Sequence, residues 1–191
     1  MDINWYAPPE VRFDPNTGDP LATHGIPLPT YGNYGGPHYS AGTIGGTTPE
    51  VIDPSVPGQV PVDALDQLSY QHDLVYQHYA DGLVQATALP VADVQFVESM
   101  AQLTFTDPEA QLYEGFATLA IVGGLAKSGY LETLSFSDLS LVAAATQGAI
   151  VNFEAGLTAV PSEARSLHGA LHVFESRISD FLPALTSQGH G

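Results

Sequence analysis

The segment Tyr70-Gln71-His72-Asp73-Leu74-Val75-Tyr76 sets an imidazole, a carboxylate and a phenol within about one helical turn. Upstream lies a Gly-rich stretch, Tyr31-Gly32-Asn33-Tyr34-Gly35-Gly36-Pro37-His38. A histidine that activates water must be unprotonated near neutral pH, held in one tautomer, and close to a polarised electrophile. Leu65, Leu68, His72, Val75 or Tyr76, and Tyr79 recur at three- and four-residue spacing, so His72 belongs to the apolar stripe of a helix, where burial opposes protonation. Asp73 projects about 100° away around the same helix. It is badly placed to orient the His72 ring and free to bind a metal. Ca²⁺ takes about six to eight oxygens, many of them main-chain carbonyls, and needs a loop without bulky side chains. Gly32, Gly35 and Gly36 give that freedom. Base, hard oxygen ligand and bare loop together point to Ca²⁺-assisted hydrolysis.

These groups need elements to hold them. Residues 1–60 are punctuated by Pro and Gly and read as ordered loop and short extended pieces lying on a helical body, with Trp5, Tyr6, Phe13, Tyr31, Tyr34 and Tyr39 as docking points. From Pro61 the pattern turns helical, with Pro61 in the first turn, Asp63 and Asp66 at the positive end of the dipole, and Gly82 as the stop. Pro90 opens a second helix over about 92–103. A third runs over about 108–127, stopped at Gly129, a fourth from Ser137-Asp138 to about 153, and a fifth from Ser162-Glu163 to about 182. The fold class is mainly α. The organisation is a Pro/Gly-rich region 1–60 with the loop at 31–42, a helix pair at 61–106, and additional helices at 107–191 on the same domain.

Composition narrows the partners. The 191-residue chain suits one domain with a sizeable core. It carries 21 acidic and four basic residues, for a net charge of −17. Arg12, Lys127, Arg165 and Arg177 make no basic patch, so nucleic acid is excluded as a partner and anionic lipid is disfavoured. A field this negative concentrates divalent cations. Cysteine is absent, so no disulfide framework exists. The N-terminus lacks the basic and apolar regions of a signal peptide. The acidic, Lys-poor composition fits a secreted or extracellular protein, exported without a leader or as part of a larger one.

The quoted segments resemble the secreted-type phospholipase A2 superfamily. Its disulfide-bonded members carry a Tyr-Gly-Cys-X-Cys-Gly calcium loop and an Asp-X-Leu-Asp-X-Cys-Cys-X-X-His-Asp-X-Cys-Tyr helix. Here Asp63-Ala64-Leu65-Asp66 and His72-Asp73-Leu74-Val75-Tyr76 match the helix, and the half-cystine positions hold Asn33, Gly35, Leu68, Ser69 and Val75. Tyr34-Gly35-Gly36-Pro37-His38 is similar to the Cys-free Tyr-X-Gly-Pro-Gly loop of parvoviral capsid phospholipase domains, with His38 in place of the last Gly. Ala92-Asp93-Val94-Gln95-Phe96 is similar to their Ala-Asp-X-X-Phe helix start. The likeness covers roughly residues 31–100. It implies a core of two antiparallel helices with a calcium loop. It implies that His72 activates water, Asp93 holds the His72 ring and Tyr76 hydrogen-bonds Asp93. It implies that Asp73 and the carbonyls of Tyr34, Gly36 and His38 bind Ca²⁺. The substrate would be a glycerophospholipid cleaved at the sn-2 ester, with peripheral membrane contact at most. Between Ser40 and Val60 the chain carries an insertion, for which three roles stay open: covering the site, acting as a lid, or displacing the loop.

Other features have blander readings. His168, His172 and Glu175 have metal-ligating spacing, but a solvated helix face explains them. Asp14-Pro15-Asn16-Thr17-Gly18-Asp19 loosely resembles a Ca²⁺ loop, yet Pro15 favours a plain turn. Asp93 also reads as a first-turn acid satisfying helix donors. Two functional alternatives stand beside the hydrolase. One is a catalytically silent lipid- or protein-binding module on the same scaffold. The other is an interaction protein with a Ca²⁺-stabilised N-terminal arm. The C-terminal helices are a possible surface for a protein partner.

Overall fold

The computed structural model of the chain describes residues 3–6, 9–13, 20–24 and 28–161. These residues are mainly helical. The fifth helix expected over 162–182, the His168/His172/Glu175 group and the 14–19 loop lie outside the described residues.

Short antiparallel ribbons build the N-terminal region. Strand β1 (Asn4–Tyr6) pairs with β4 (Leu28–Thr30), with Trp5 opposite Pro29. Strand β2 (Pro9–Phe13) pairs with β3 (Pro20–His24). Both of those strands begin with proline, the position where a missing N–H does least harm to a ladder. Strand β5 (Tyr39–Ser40) pairs with β6 (Thr43–Ile44) where the expected insertion begins.

Helix α1 (Ala64–Ala80) is N-capped by Asp63, whose Oδ1 accepts from the Asp66 N–H at 2.9 Å. Pro61 therefore precedes the helix instead of sitting in its first turn. Gly82, at φ 73°, ends it as expected. Helix α2 (Ala88–Met100) starts four residues before the expected boundary. Pro90 falls within its first turn, where no donor is required, and so does not mark the start. Helix α3 (Pro108–Lys127) has Asp107 as its cap and Pro108 as its first residue. Helix α4 (Phe136–Ala159) starts one residue before Ser137 because Ser135 is the cap. Ser135 Oγ accepts from the Asp138 N–H at 3.2 Å and donates to Asp138 Oδ2 at 2.8 Å, a reciprocal pair at cap and third position.

Helices α2, α3 and α4 each contribute to two buried clusters. Phe96 and Met100 join Ile3, Tyr31, Leu65, Leu112, Tyr113 and Phe116 in one buried cluster. Val94 and Val97 join Val122, Leu125, Leu131 and Val142 in a second. Helices α3 and α4 pack closely because Gly115 and Gly156 lie flush against the facing helix, where a β-carbon would collide. Buried Glu114 sits in this interface, accepting from Thr118 at 3.1 Å and from Asn152 at 2.8 Å. Among the described residues no helix is long and apolar enough to cross a membrane.

Candidate functional site

Helix α2 packs against both α1 and α3, and a cavity of about 590 Å³ opens beside it. His72, Asp73 and Tyr76 line this cavity from α1, Asp93 and Phe96 from α2, and Phe116 and Ala117 from α3. Tyr34, Gly36 and His38 line it from the Gly-rich loop. The structure thus brings all seven sequence-derived site residues to one cavity.

The imidazole of His72 is mostly buried and rests against the rings of Tyr76 and Phe96, with centroids 4.8 and 5.0 Å away. Its Nε2 lies 2.7 Å from Asp93 Oδ1. An ionised carboxylate only accepts, so Nε2 carries the proton and Nδ1 presents the lone pair. The Tyr76 hydroxyl donates to the same Asp93 oxygen at 2.9 Å. Asp93 is therefore tied to two side chains of α1, and because α2 begins at Ala88 it lies past the first turn and is not the first-turn acid its sequence context suggests. Asp73 Oδ1 stands 3.9 Å from His72 Nδ1, beyond hydrogen-bond reach, as the rotation between adjacent helix positions demands.

The loop half is shaped by Asp66, a fully buried carboxylate on α1. Its oxygens accept from the N–H groups of Asn33 (2.9 and 3.0 Å), Tyr34 (2.7 Å) and Val62 (2.9 Å). Gly32, at φ 57°, lies so close that a β-carbon there would strike this carboxylate. Tyr31 and Gly35 exchange main-chain bonds of 2.7 and 2.9 Å that close the loop. The Tyr31 hydroxyl donates to Asp63 Oδ2 at 2.5 Å, tying the loop to the cap of α1. His38 takes φ 55°, the left-handed conformation that the glycine of the resembled loop adopts freely. The inserted segment, residues 40–60, runs alongside the loop: Gly42 N donates to Asn33 O at 2.8 Å, and Gly46 and Thr48 line the cavity.

Burial and neighbouring groups oppose each other at His72 and at Asp73. Burial pulls the imidazole pKa down, but the Asp73 and Asp93 carboxylates outweigh it, and the net direction is up. Burial pushes Asp73 up, with His72 and the Ser40 hydroxyl pulling it only partly back. No lysine or arginine lines the cavity among the described residues. A carboxylate in a cavity wall without positive charge, in the same cavity as the Gly-rich loop, is a donor of the kind a hard cation such as Ca²⁺ takes. Tyr34, Gly36, His38 and Asp73 would hold it. The Gly36 and His38 carbonyls already accept from Tyr39 N (3.2 Å) and Gly45 N (2.6 Å), and each oxygen has a second lone pair.

Sequence reasoning missed the role of Asp66 and the buried Ser40–Thr48 contact in the cavity wall. For Asp66 a signal existed: it adjoins Leu65 and precedes Tyr70 by one turn, so a first-turn acid there points inward. No protein-family model, curated protein or solved structure matches the chain.

Proposed function

We propose that the chain is a Ca²⁺-dependent phospholipase A2-like hydrolase built on a helix pair with a calcium loop, α1 and α2. The observation that carries the reading is the His72–Asp93 contact of 2.7 Å between these helices, with Tyr76 on the same carboxylate. His72 Nδ1 takes a proton from water as the water oxygen attacks the sn-2 ester carbonyl. Asp93 keeps the proton on Nε2 and stabilises the imidazolium that forms. The imidazolium then returns its proton to the departing glycerol oxygen as the ester C–O bond breaks, leaving a fatty acid and a lysophospholipid. Ca²⁺, when bound, supplies positive charge that polarises the ester carbonyl and stabilises the oxyanion. The cavity beside α3, with Phe116 and Ala117, offers an apolar wall for the acyl chain.

The substrate would be a phospholipid met at a peripheral surface. With a net charge of −17, zwitterionic lipid is preferred over anionic lipid. The reading puts the activity outside the cell, where Ca²⁺ is millimolar. The deciding assay is fatty-acid release from phosphatidylcholine vesicles, with Ca²⁺ or chelator, for wild type and His72→Gln. Ca²⁺-dependent release that falls about 1,000-fold in His72→Gln is expected; equal release by both proteins overturns the reading. A second reading, a silent lipid- or protein-binding module, is favoured by the 2.6 Å bond from Gly45 N to the His38 carbonyl, which competes for an expected ligand. Its signature is a Ca²⁺-dependent rise in Tm without turnover.

A further inference from the structure

One hydroxyl in the cavity wall has no partner. Tyr113, on α3, lines the cavity and is 4% exposed. Every other hydroxyl in that wall is engaged. Those of Tyr34, Tyr39, Ser69 and Tyr76 donate to Gln59, Gly32, Leu65 and Asp93, and Ser40 and Thr48 bond each other. Among the described residues none hydrogen-bonds the Tyr113 hydroxyl, and no fully buried side-chain oxygen is left unpartnered. The Tyr113 oxygen therefore reaches the cavity surface and is not sealed in the core.

Its place is fixed from two sides. The ring stacks on Tyr31 with centroids 5.2 Å apart. The hydroxyl abuts the Gly-rich loop at Gly35, where a β-carbon would stand 2.9 Å from the oxygen. Tyr34 and Gly36, on either side of Gly35, line the same cavity. Burial, with the charges of Asp73 and Asp66, pushes the Tyr113 pKa up, so the group keeps its proton and stands ready as a donor.

A donor left open in this way is matched by an acceptor from outside the protein. A phospholipid offers a headgroup phosphate and an ester carbonyl. The hydrated, charged headgroup is costly to bury in a cavity that no lysine or arginine lines among the described residues. The sn-2 ester must go deep, because the His72 ring is mostly buried. A hydroxyl as buried as that of Tyr113 meets the ester.

We propose that the Tyr113 hydroxyl donates a hydrogen bond to the sn-2 carbonyl oxygen of the substrate, a bond that strengthens as this oxygen gains negative charge in the transition state. Tyr113 is then a catalytic residue supplied by a helix outside the 31–100 region of family likeness. This inference rests on the hydrolase reading.

Tyr113→Phe keeps the ring and its stacking, and tests the hydroxyl alone. On phosphatidylcholine vesicles with Ca²⁺ its kcat should fall about 100-fold, the loss typical of removing one oxyanion donor, with KM within about twofold. The Tm in chelator and the Ca²⁺ affinity by calorimetry should match wild type. Two uncleaved probes locate the contact: an sn-2 amide analogue of phosphatidylcholine, which keeps the carbonyl, and a diether analogue, which lacks it. Tyr113→Phe should bind the amide about fivefold more weakly, the worth of one hydrogen bond, and the diether like wild type. Unchanged kcat overturns the proposal. So does equal weakening toward both analogues, which puts the hydroxyl on the headgroup. A fall in Tm or Ca²⁺ affinity that matches the fall in rate overturns it too, and makes Tyr113 structural. A wild type that releases no fatty acid overturns the hydrolase reading and this inference together, and the wild-type assay alone tells that outcome apart.

Discussion

Asp93 reaches His72 across two helices through one side-chain contact, whereas the facing loop is shaped by its main chain. In the helical half, His72, Asp93 and Tyr76 each stand on a regular helix that anchors some of its residues in the core. In the loop half, Gly32, His38, Ala41 and Gly42 all take positive φ. Their shape is fixed by N–H groups converging on Asp66. The helical half depends on which side chain occupies a position; the loop half depends on backbone conformation and on one buried acid that holds it. Replacements in the first should change chemistry and spare the fold. Replacements in the second should change the fold and cation binding together.

The sharpest break in that contrast comes from Asp66. Asp66→Ala leaves three main-chain N–H groups without their acceptor, and water can rescue only some of them. A loss of about 3 kcal/mol in urea unfolding is expected, with Ca²⁺ binding lost in the same titration. Unchanged stability would show that the loop holds its shape without Asp66. Asp93→Ala should lower kcat about 100-fold, equivalent to about 2.7 kcal/mol, while Ca²⁺ affinity measured by calorimetry stays within about twofold. A matching fall in Ca²⁺ affinity would mean that the two halves are not separable.

The pH dependence comes next in size. The folded pKa of His72 is raised by Asp73 and Asp93 against burial. Protonated His72 therefore contributes stability that is fully present below its unfolded value, about 6.5, and is lost as pH rises through the higher folded value. Melts in chelator from pH 5 to 8 should show this slope in wild type and lack it in His72→Gln. Hydrolysis should rise over the same window, because only the neutral imidazole accepts a proton. The smallest effect belongs to His38→Gly. Relief of the left-handed backbone, worth about 1 kcal/mol, is nearly offset by the entropy glycine loses on folding, about 0.5–1 kcal/mol. A change of more than about 1 kcal/mol in urea unfolding would show that the His38 side chain has a role the backbone does not explain.

The same contrast governs what was legible in the sequence. His72, Asp73 and Tyr76 were placed correctly relative to one another because helix geometry alone sets the angles between them. Helix α3 was also readable, since Asp107-Pro108 is a strong start and Gly129 a strong stop. Asp93 lies 21 residues from His72, and local pattern cannot say whether two helices cross at the right height. Only the family likeness pointed there. The starts of α2 and α4 were misjudged where proline or serine offered two plausible boundaries. Asp66 looked like a dipole acid because its burial depends on a loop some thirty residues upstream. Ser40 and Thr48 lie in a segment without periodicity, so nothing in their spacing points to their contact.

At the positions where the disulfide-bonded members of the family that the motif resembles carry half-cystines, the chain holds Asn33, Gly35, Leu68, Ser69 and Val75, and the loop is tied to α1 by Tyr31–Asp63 and Asp66 instead. Such ties form and release without electron transfer. Refolding from denaturant therefore involves no oxidation and no scrambled isomers. The same native yield is reached in reducing and oxidising buffer, a tolerance that a disulfide-stapled version of this site lacks.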